Sequence, residues 1–199
     1  MRSRIAHGWR SLGRRAVGAL RLDGATYREV SLDPDALPQA VAIILLSSLV
    51  SAIVFLATGS APGLSVSVDW ASYPVTRESD TAAALAGGVL DGGWGLIIWA
   101  VQTSIIWILW NRFAGALRSW RAVAAPLGFA NAPLIVFAFF EAAPIVGGVL
   151  GAIGLLWMLV ASVVAVRAAL DTGWGRAIVL LAISVVVLLP VSIVISIAG

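Results

Sequence analysis

The chain has 199 residues, 60% of them hydrophobic and only 12% charged, against roughly 45–50% and 25% in a soluble domain. A soluble fold of this length cannot hide that much apolar surface, whereas lipid can, so the composition points to one all-α domain embedded in a bilayer. It has no cysteine, which excludes disulfides and thiolate metal sites, and its single His leaves no His-based metal centre. No cofactor is expected.

The formal charge is +3, and every basic residue is Arg. A basic excess signals nucleic acid only when it forms a face on a soluble domain. Here the arginines flank apolar runs, so no nucleic-acid partner is expected.

Residues 1–36 form a basic, cytoplasmic segment. Within it, 2–21 can fold as an amphipathic helix, with Ile5, Trp9, Leu12, Ala16 and Leu20 on one face and Arg10, Arg14 and Arg21 on the other. Such a helix can lie on an anionic leaflet. Trp9, Arg10, Arg14 and Arg15 are its candidate membrane-surface residues, with anionic lipids as partner.

Residues 37–199 form the membrane domain. A helix needs about 20 apolar residues to cross the hydrocarbon core, and five runs approach this: 38–58, 93–110, 123–140, 144–166 and 177–198. The last three residues between the third and fourth runs, Glu141-Ala142-Ala143, make a tight hairpin. The outer loop, 59–92, contains an alternating stretch at 64–70 that reads as a strand or interfacial segment. Its residues 81–90 read as a short surface or re-entrant helix.

Orientation follows from the arginines. Seven precede the first run, Arg112, Arg118 and Arg121 lie between the second and third, and Arg167 and Arg176 between the fourth and fifth. Only Arg77 lies in the long outer loop. Five spans therefore put 12 of the 13 arginines on the cytoplasmic side, with the N-terminus inside and the C-terminus outside. Trp94, Trp110, Trp120 and Trp174 fall where interfacial aromatics are expected.

Little chemistry is visible within the spans. Gln102, Thr103 and Ser104 form a polar patch, and Asn131 lies near Pro126 and Pro133, each of which should kink the third run. A freed carbonyl there is within reach of Asn131. Gly147 and Gly151 make a small-xxx-small pair, with Gly154 beside them, suited to close helix packing. Arg167 and Asp171 have the i, i+4 spacing of a helix-end ion pair. No phosphate-cradling loop, catalytic triad, paired carboxylates or metal-ligand cluster is present.

Several segments, in order, resemble the Yip family, the Yip-one-domain membrane proteins. They are Leu32-Asp33-Pro34-Asp35-Ala36-Leu37-Pro38 before the first span and Gly128-Phe129-Ala130-Asn131-Ala132-Pro133 in the third. Trp157 and the Ala165-Val166-Arg167-Ala168-Ala169-Leu170 ending of the fourth follow. The bacterial branch of that family is the nearest in pattern. The resemblance implies five helices, a cytoplasmic N-terminus and a non-enzymatic role. It makes Asp35, Pro38, Gly128, Phe129, Asn131, Pro133, Arg167 and Asp171 the candidate motif residues. Phe129 stands where eukaryotic members usually have Tyr, so their GTPase binding is not carried over.

The resulting expectation is a multi-pass inner-membrane scaffold or accessory protein that binds membrane proteins, lipids or a second copy of itself. The alternative is a small transporter or channel using the kinked third helix.

Overall fold

The computed structural model describes the backbone of residues 2–58, 81–114, 117–138 and 144–198, and side chains over 11–54, 92–114, 117–137 and 149–188. The described residues are helical throughout, in eight helices: α1 (Arg2–Leu20), α2 (Gly24–Leu32), α3 (Ala36–Thr58), α4 (Thr81–Phe113), α5 (Trp120–Phe129), α6 (Ala132–Ala138), α7 (Pro144–Leu170) and α8 (Trp174–Ala198). The expectations at residues 59–80 and Glu141, and the side-chain roles given to Trp9, Arg10 and Gly147, lie outside the described residues.

Among the described residues, four segments are long and apolar enough to cross a membrane: Ala36–Val54, Gly92–Phe113, Trp120–Phe137 and Val149–Leu170. The described part of α8, Trp174–Leu188, is a shorter apolar stretch of a helix that runs 25 residues.

Two of the expected elements take a different form. Residues 81–90 are no separate surface helix; they are the first turns of α4, which runs 33 residues without a break. Nothing in Thr81–Asp91 stops a helix, because it has no proline and its Ala and Leu are strong helix formers. The third span is two helices, parted at Ala130-Asn131 and not at a proline. Pro126 sits inside α5, while Pro133 is the second residue of α6, where a missing N–H costs nothing. The Asn131 amide donates to the carbonyls of Leu127 at 3.1 Å and Gly128 at 3.4 Å, satisfying groups that the break leaves open.

α5 is the middle of the bundle, and every residue from Val123 to Phe129 is buried. It touches α2, α3, α4 and α7, while α8 closes the ring by touching both α4 and α7. The α3–α5 seam is close. A Cβ built on Gly128 would stand 2.6 Å from the Ala40 Cβ and 3.2 Å from its Cα, so only glycine lets the two backbones approach this far. Gly154 plays the same part on α7, where a Cβ would meet the Phe137 ring at 2.6 Å.

The outward faces of α7 and α8 are apolar. Val149, Ile153, Leu156 and Val160 on α7, and Ile178, Val179, Ile183 and Val186 on α8, are exposed. A surface of this kind is stable against acyl chains and not against water.

Candidate functional site

The described ion pairs gather where α1 and α2 form a hairpin against the bundle. The hairpin is shaped by its own sequence. Leu22 takes a left-handed φ of 58°, and the N–H groups of Leu22 and Asp23 bond the carbonyls of Ala19 and Gly18, each at 3.0 Å. That pattern is a Schellman stop. Asp23 then caps α2 at once, accepting from the N–H groups of Ala25 at 3.0 Å and Thr26 at 3.2 Å. These bonds, with the Thr26 hydroxyl, hold the Asp23 carboxyl below its ordinary pKa. Gly18 lets α1 lie directly on Thr26.

The hairpin docks through apolar groups. Ala19, Tyr27 and Val30 are fully buried in one cluster with Ala36 and Ala40 of α3, Ala125 and Phe129 of α5, and Ala161 and Ala165 of α7. The Tyr27 hydroxyl donates to the Ala19 carbonyl at 3.2 Å, and burial pushes its pKa up from the usual 10.0. The Trp157 indole N–H of α7 donates to the Leu20 carbonyl at 3.0 Å, fastening the hairpin turn to the bundle.

At the centre of the attachment is Arg15. Its side chain is only 7% exposed. It reaches Glu29 Oε1 through Nε at 3.1 Å and Nη2 at 3.0 Å, Asp33 Oδ2 at 2.6 Å, and the buried Gln39 side-chain oxygen at 3.2 Å. One guanidinium thus ties α1 to α2, to the α2–α3 turn and to α3. Burying a guanidinium is costly, and two carboxylates plus an amide oxygen offset the lost hydration. Arg14, largely exposed, adds a bond to Glu29 at 2.8 Å.

Sequence reasoning gave Arg14 and Arg15 to an anionic leaflet. Arg15 is instead inside the protein and both are met by carboxylates, because the apolar face of α1 that binds the bundle, Leu12, Ala16, Ala19 and Leu20, turns Arg15 toward Glu29. The expected Arg167–Asp171 pair is also absent. α7 ends at Leu170, and Asp171 adopts a φ of 50°, off the helix and out of i, i+4 geometry. Asp171 pairs with Arg28 of α2, and Arg167 stacks over Trp174 at 4.6 Å from the ring centre.

A family model described as Yip1 domain matches residues 17–195. The chain belongs to that family. No curated protein and no solved structure matches it significantly.

Of the candidate motif residues, Gly128 and Phe129 lie in the seam where α3, α5 and the hairpin meet, and Asn131 and Pro133 shape the break after it. Asp35 and Pro38 are exposed. The groups that make the attachment are their neighbours Asp33 and Gln39, together with Glu29 and Tyr27, none of which stood out in the sequence. Asp33 carried a signal that could have been used: its side chain also accepts from the Asp35 N–H at 2.9 Å, the Asx turn that an Asp-Pro-Asp sequence favours.

The polar patch of the second span is only partly taken up by packing, since the buried Thr103 hydroxyl has no hydrogen-bond partner among the described residues. Ser104 bonds the Ala100 carbonyl at 2.7 Å and accepts from the Trp120 indole at 3.1 Å, and Trp99 donates to the Ala124 carbonyl at 3.1 Å. Trp110, expected at the interface, is buried between α4, α5, α7 and α8. Among the described residues no group of acids and His could hold a metal ion.

Proposed function

We propose that this Yip1 domain protein is a non-enzymatic scaffold or accessory subunit of a bacterial inner membrane, spanning it five times with the N-terminus in the cytoplasm. It engages other membrane proteins, lipids or a second copy through its surfaces. The observation that carries the reading is where the ionisable groups are spent. Arg15, Glu29, Asp33, Arg28 and Asp171 join the N-terminal hairpin to the bundle, so they act as structural ties and none faces a second group across a reaction site. A protein whose charges fasten its own parts and whose long helices present continuous apolar faces is built to be held in a membrane and to hold others. The transporter alternative is weakened at one point, because the Asn131 amide N–H groups are occupied by the Leu127 and Gly128 carbonyls, while the Thr103 hydroxyl of the α4 patch is buried without a partner among the described residues.

Purification in mild detergent tests the role. Self-association, or the same protein or lipid in repeated native preparations, is the expected result, and monodisperse monomer with no companion would end the scaffold reading. Topology is tested separately on the naturally cysteine-free chain. Gly173→Cys should react with an impermeant maleimide only from the cytoplasmic side, and Ala198→Cys only from outside.

A further inference from the structure

The ion pairs among the described residues involve only three arginines, Arg14, Arg15 and Arg28. Arg21 and five others have no carboxylate partner among the described residues; the five are Arg112, Arg118, Arg121, Arg167 and Arg176. Their positions are fixed by one apolar cluster. Trp110, Leu170 and Ala177 are core members of it and Trp120 packs against it; each lies within three residues of one of these arginines. Arg112 ends α4, Arg121 opens α5, Arg167 is in the last turn of α7 and Arg176 in the first turn of α8. The α4–α5 and α7–α8 connections therefore share one end of the bundle. The Arg28–Asp171 pair puts the N-terminal hairpin beside them.

Arg118 is presented by a built support. Asn111 accepts from its N–H at 2.9 Å and donates to its carbonyl at 3.2 Å, and the Trp107 indole donates to the same carbonyl at 2.7 Å. With its backbone so held, the guanidinium is the free part of the residue. Large apolar side chains stand among these arginines in the open: Phe113 is 80% exposed, Leu117 87% and Trp174 51%. The one acid in these two connections, Asp171, is already taken by Arg28; elsewhere Asp23 caps α2, and Asp35, in the turn before α3, makes no ion pair.

We propose that this rim binds the phosphate headgroups of anionic phospholipids. Arg112, Arg118, Arg121 and Arg176 would take the phosphates, and Phe113 and Leu117 would enter the adjoining acyl region, beside the Trp174 ring on which Arg167 stacks. The proposal rests on the membrane-spanning reading above and adds to it the lipid class and the residues that select it. Charge complementarity favours this occupant: uncompensated guanidiniums need anions, and exposed aromatic and aliphatic groups beside them need an apolar medium. An anionic bilayer surface offers both together. Guanidinium also suits phosphate by its forked donors. The N-terminal arginines Arg14 and Arg15 are excluded from this role by their carboxylates.

The test uses the full chain in vesicles of phosphatidylcholine with a minor fraction of spin-labelled phosphatidylglycerol or spin-labelled phosphatidylcholine. The protein should retain the anionic label over the neutral one, each arginine near the surface adding about fivefold at most. Replacing Arg112, Arg121 and Arg176 together by Gln should remove most of that preference while leaving the thermal unfolding midpoint in place. Arg21→Gln, an exposed arginine at the hairpin turn away from this rim, should keep it. Equal retention by the triple variant, or equal loss in Arg21→Gln, overturns the proposal. Displacement of the label by inorganic phosphate at matched phosphate concentration would mean a phosphate site and not a lipid one, and also overturns it. Maleimide labelling at Gly173→Cys reads orientation alone, so failure of headgroup selection is distinguishable from failure of the topology.

Discussion

The Arg28–Asp171 pair brings the N-terminal hairpin beside the two loops, yet the arginines of the hairpin and those of the loops have different surroundings. Arg15 is buried and answered by Glu29, Asp33 and Gln39. Arg112, Arg121 and Arg176 are exposed and make no ion pair among the described residues. The first group holds the fold together, whereas the second leaves its charge available to whatever lies outside. A count of positive residues treats the two alike, and only the position of the carboxylates separates them.

The sharpest way to break the comparison is Arg15→Ala. It would leave Glu29 and Asp33 facing each other with no cation between them. Removing one partner from a buried pair costs about 3–5 kcal/mol, but both carboxylates are partly exposed, 38% and 25%, so we expect roughly 2–3 kcal/mol after that discount. A lowered unfolding midpoint in detergent, with faster proteolysis between α1 and α2, would show it. Arg121→Gln should stay within about 0.5 kcal/mol of the parent. Equal losses in the two variants would mean the arginines do not differ as described.

The seam beneath the hairpin should be nearly as sensitive. Gly128→Ala puts a methyl 2.6 Å from the Ala40 Cβ, forcing α3 and α5 apart, and overpacking of this kind costs about 1–3 kcal/mol. A destabilised Gly128→Ala rescued in part by Ala40→Gly would identify the contact as the cause.

Tyr27→Phe removes one buried hydrogen bond, to the Ala19 carbonyl, for about 1 kcal/mol. Tyr27 also gives the attachment a pH limit. Its folded-state pKa is raised by burial above the 10.0 of the free group. The folded chain therefore keeps a proton that the unfolded chain gives up. That contribution is complete below pH 10.0 and is lost as pH rises beyond it. The parent should lose stability there more steeply than Tyr27→Phe, as alkaline melting curves would record.

Much of this could be read in the sequence, and the unread parts share a physical cause. Apolar runs and flanking arginines are local signals, so the spans from Ala36, Trp120 and Val149 and the gathering of arginines were legible. The break at Asn131 was half legible: the prolines announced it, but its position depended on Pro133 being usable as a first-turn residue of α6. The bonds from Arg15 to Glu29 and Gln39 cross 14 and 24 residues. Nothing local marks them, since Arg15 in an amphipathic helix looks the same whether its outward neighbour is a lipid phosphate or a carboxylate on the next helix. The Arg167–Asp171 expectation failed for a related reason. Its spacing was right for a continuing helix, and the chain stops its helix one residue too soon.

That stop supplies the smallest test. Arg28 and Asp171 are 58% and 66% exposed, so water screens them and the pair should contribute between about 0 and 1 kcal/mol. Arg28→Gln and Asp171→Asn should each shift the unfolding midpoint little, and the double variant no more than the larger single one. The consequence for lipid selection runs the other way. Asp171 withholds one arginine from the rim, so Asp171→Asn frees Arg28 and should raise the preference for phosphatidylglycerol, while Arg28→Gln leaves Asp171 unpaired among the loop arginines and should lower it. Opposite changes in selectivity from two substitutions that barely alter stability would separate charge that holds the fold from charge that faces the lipid, residue by residue.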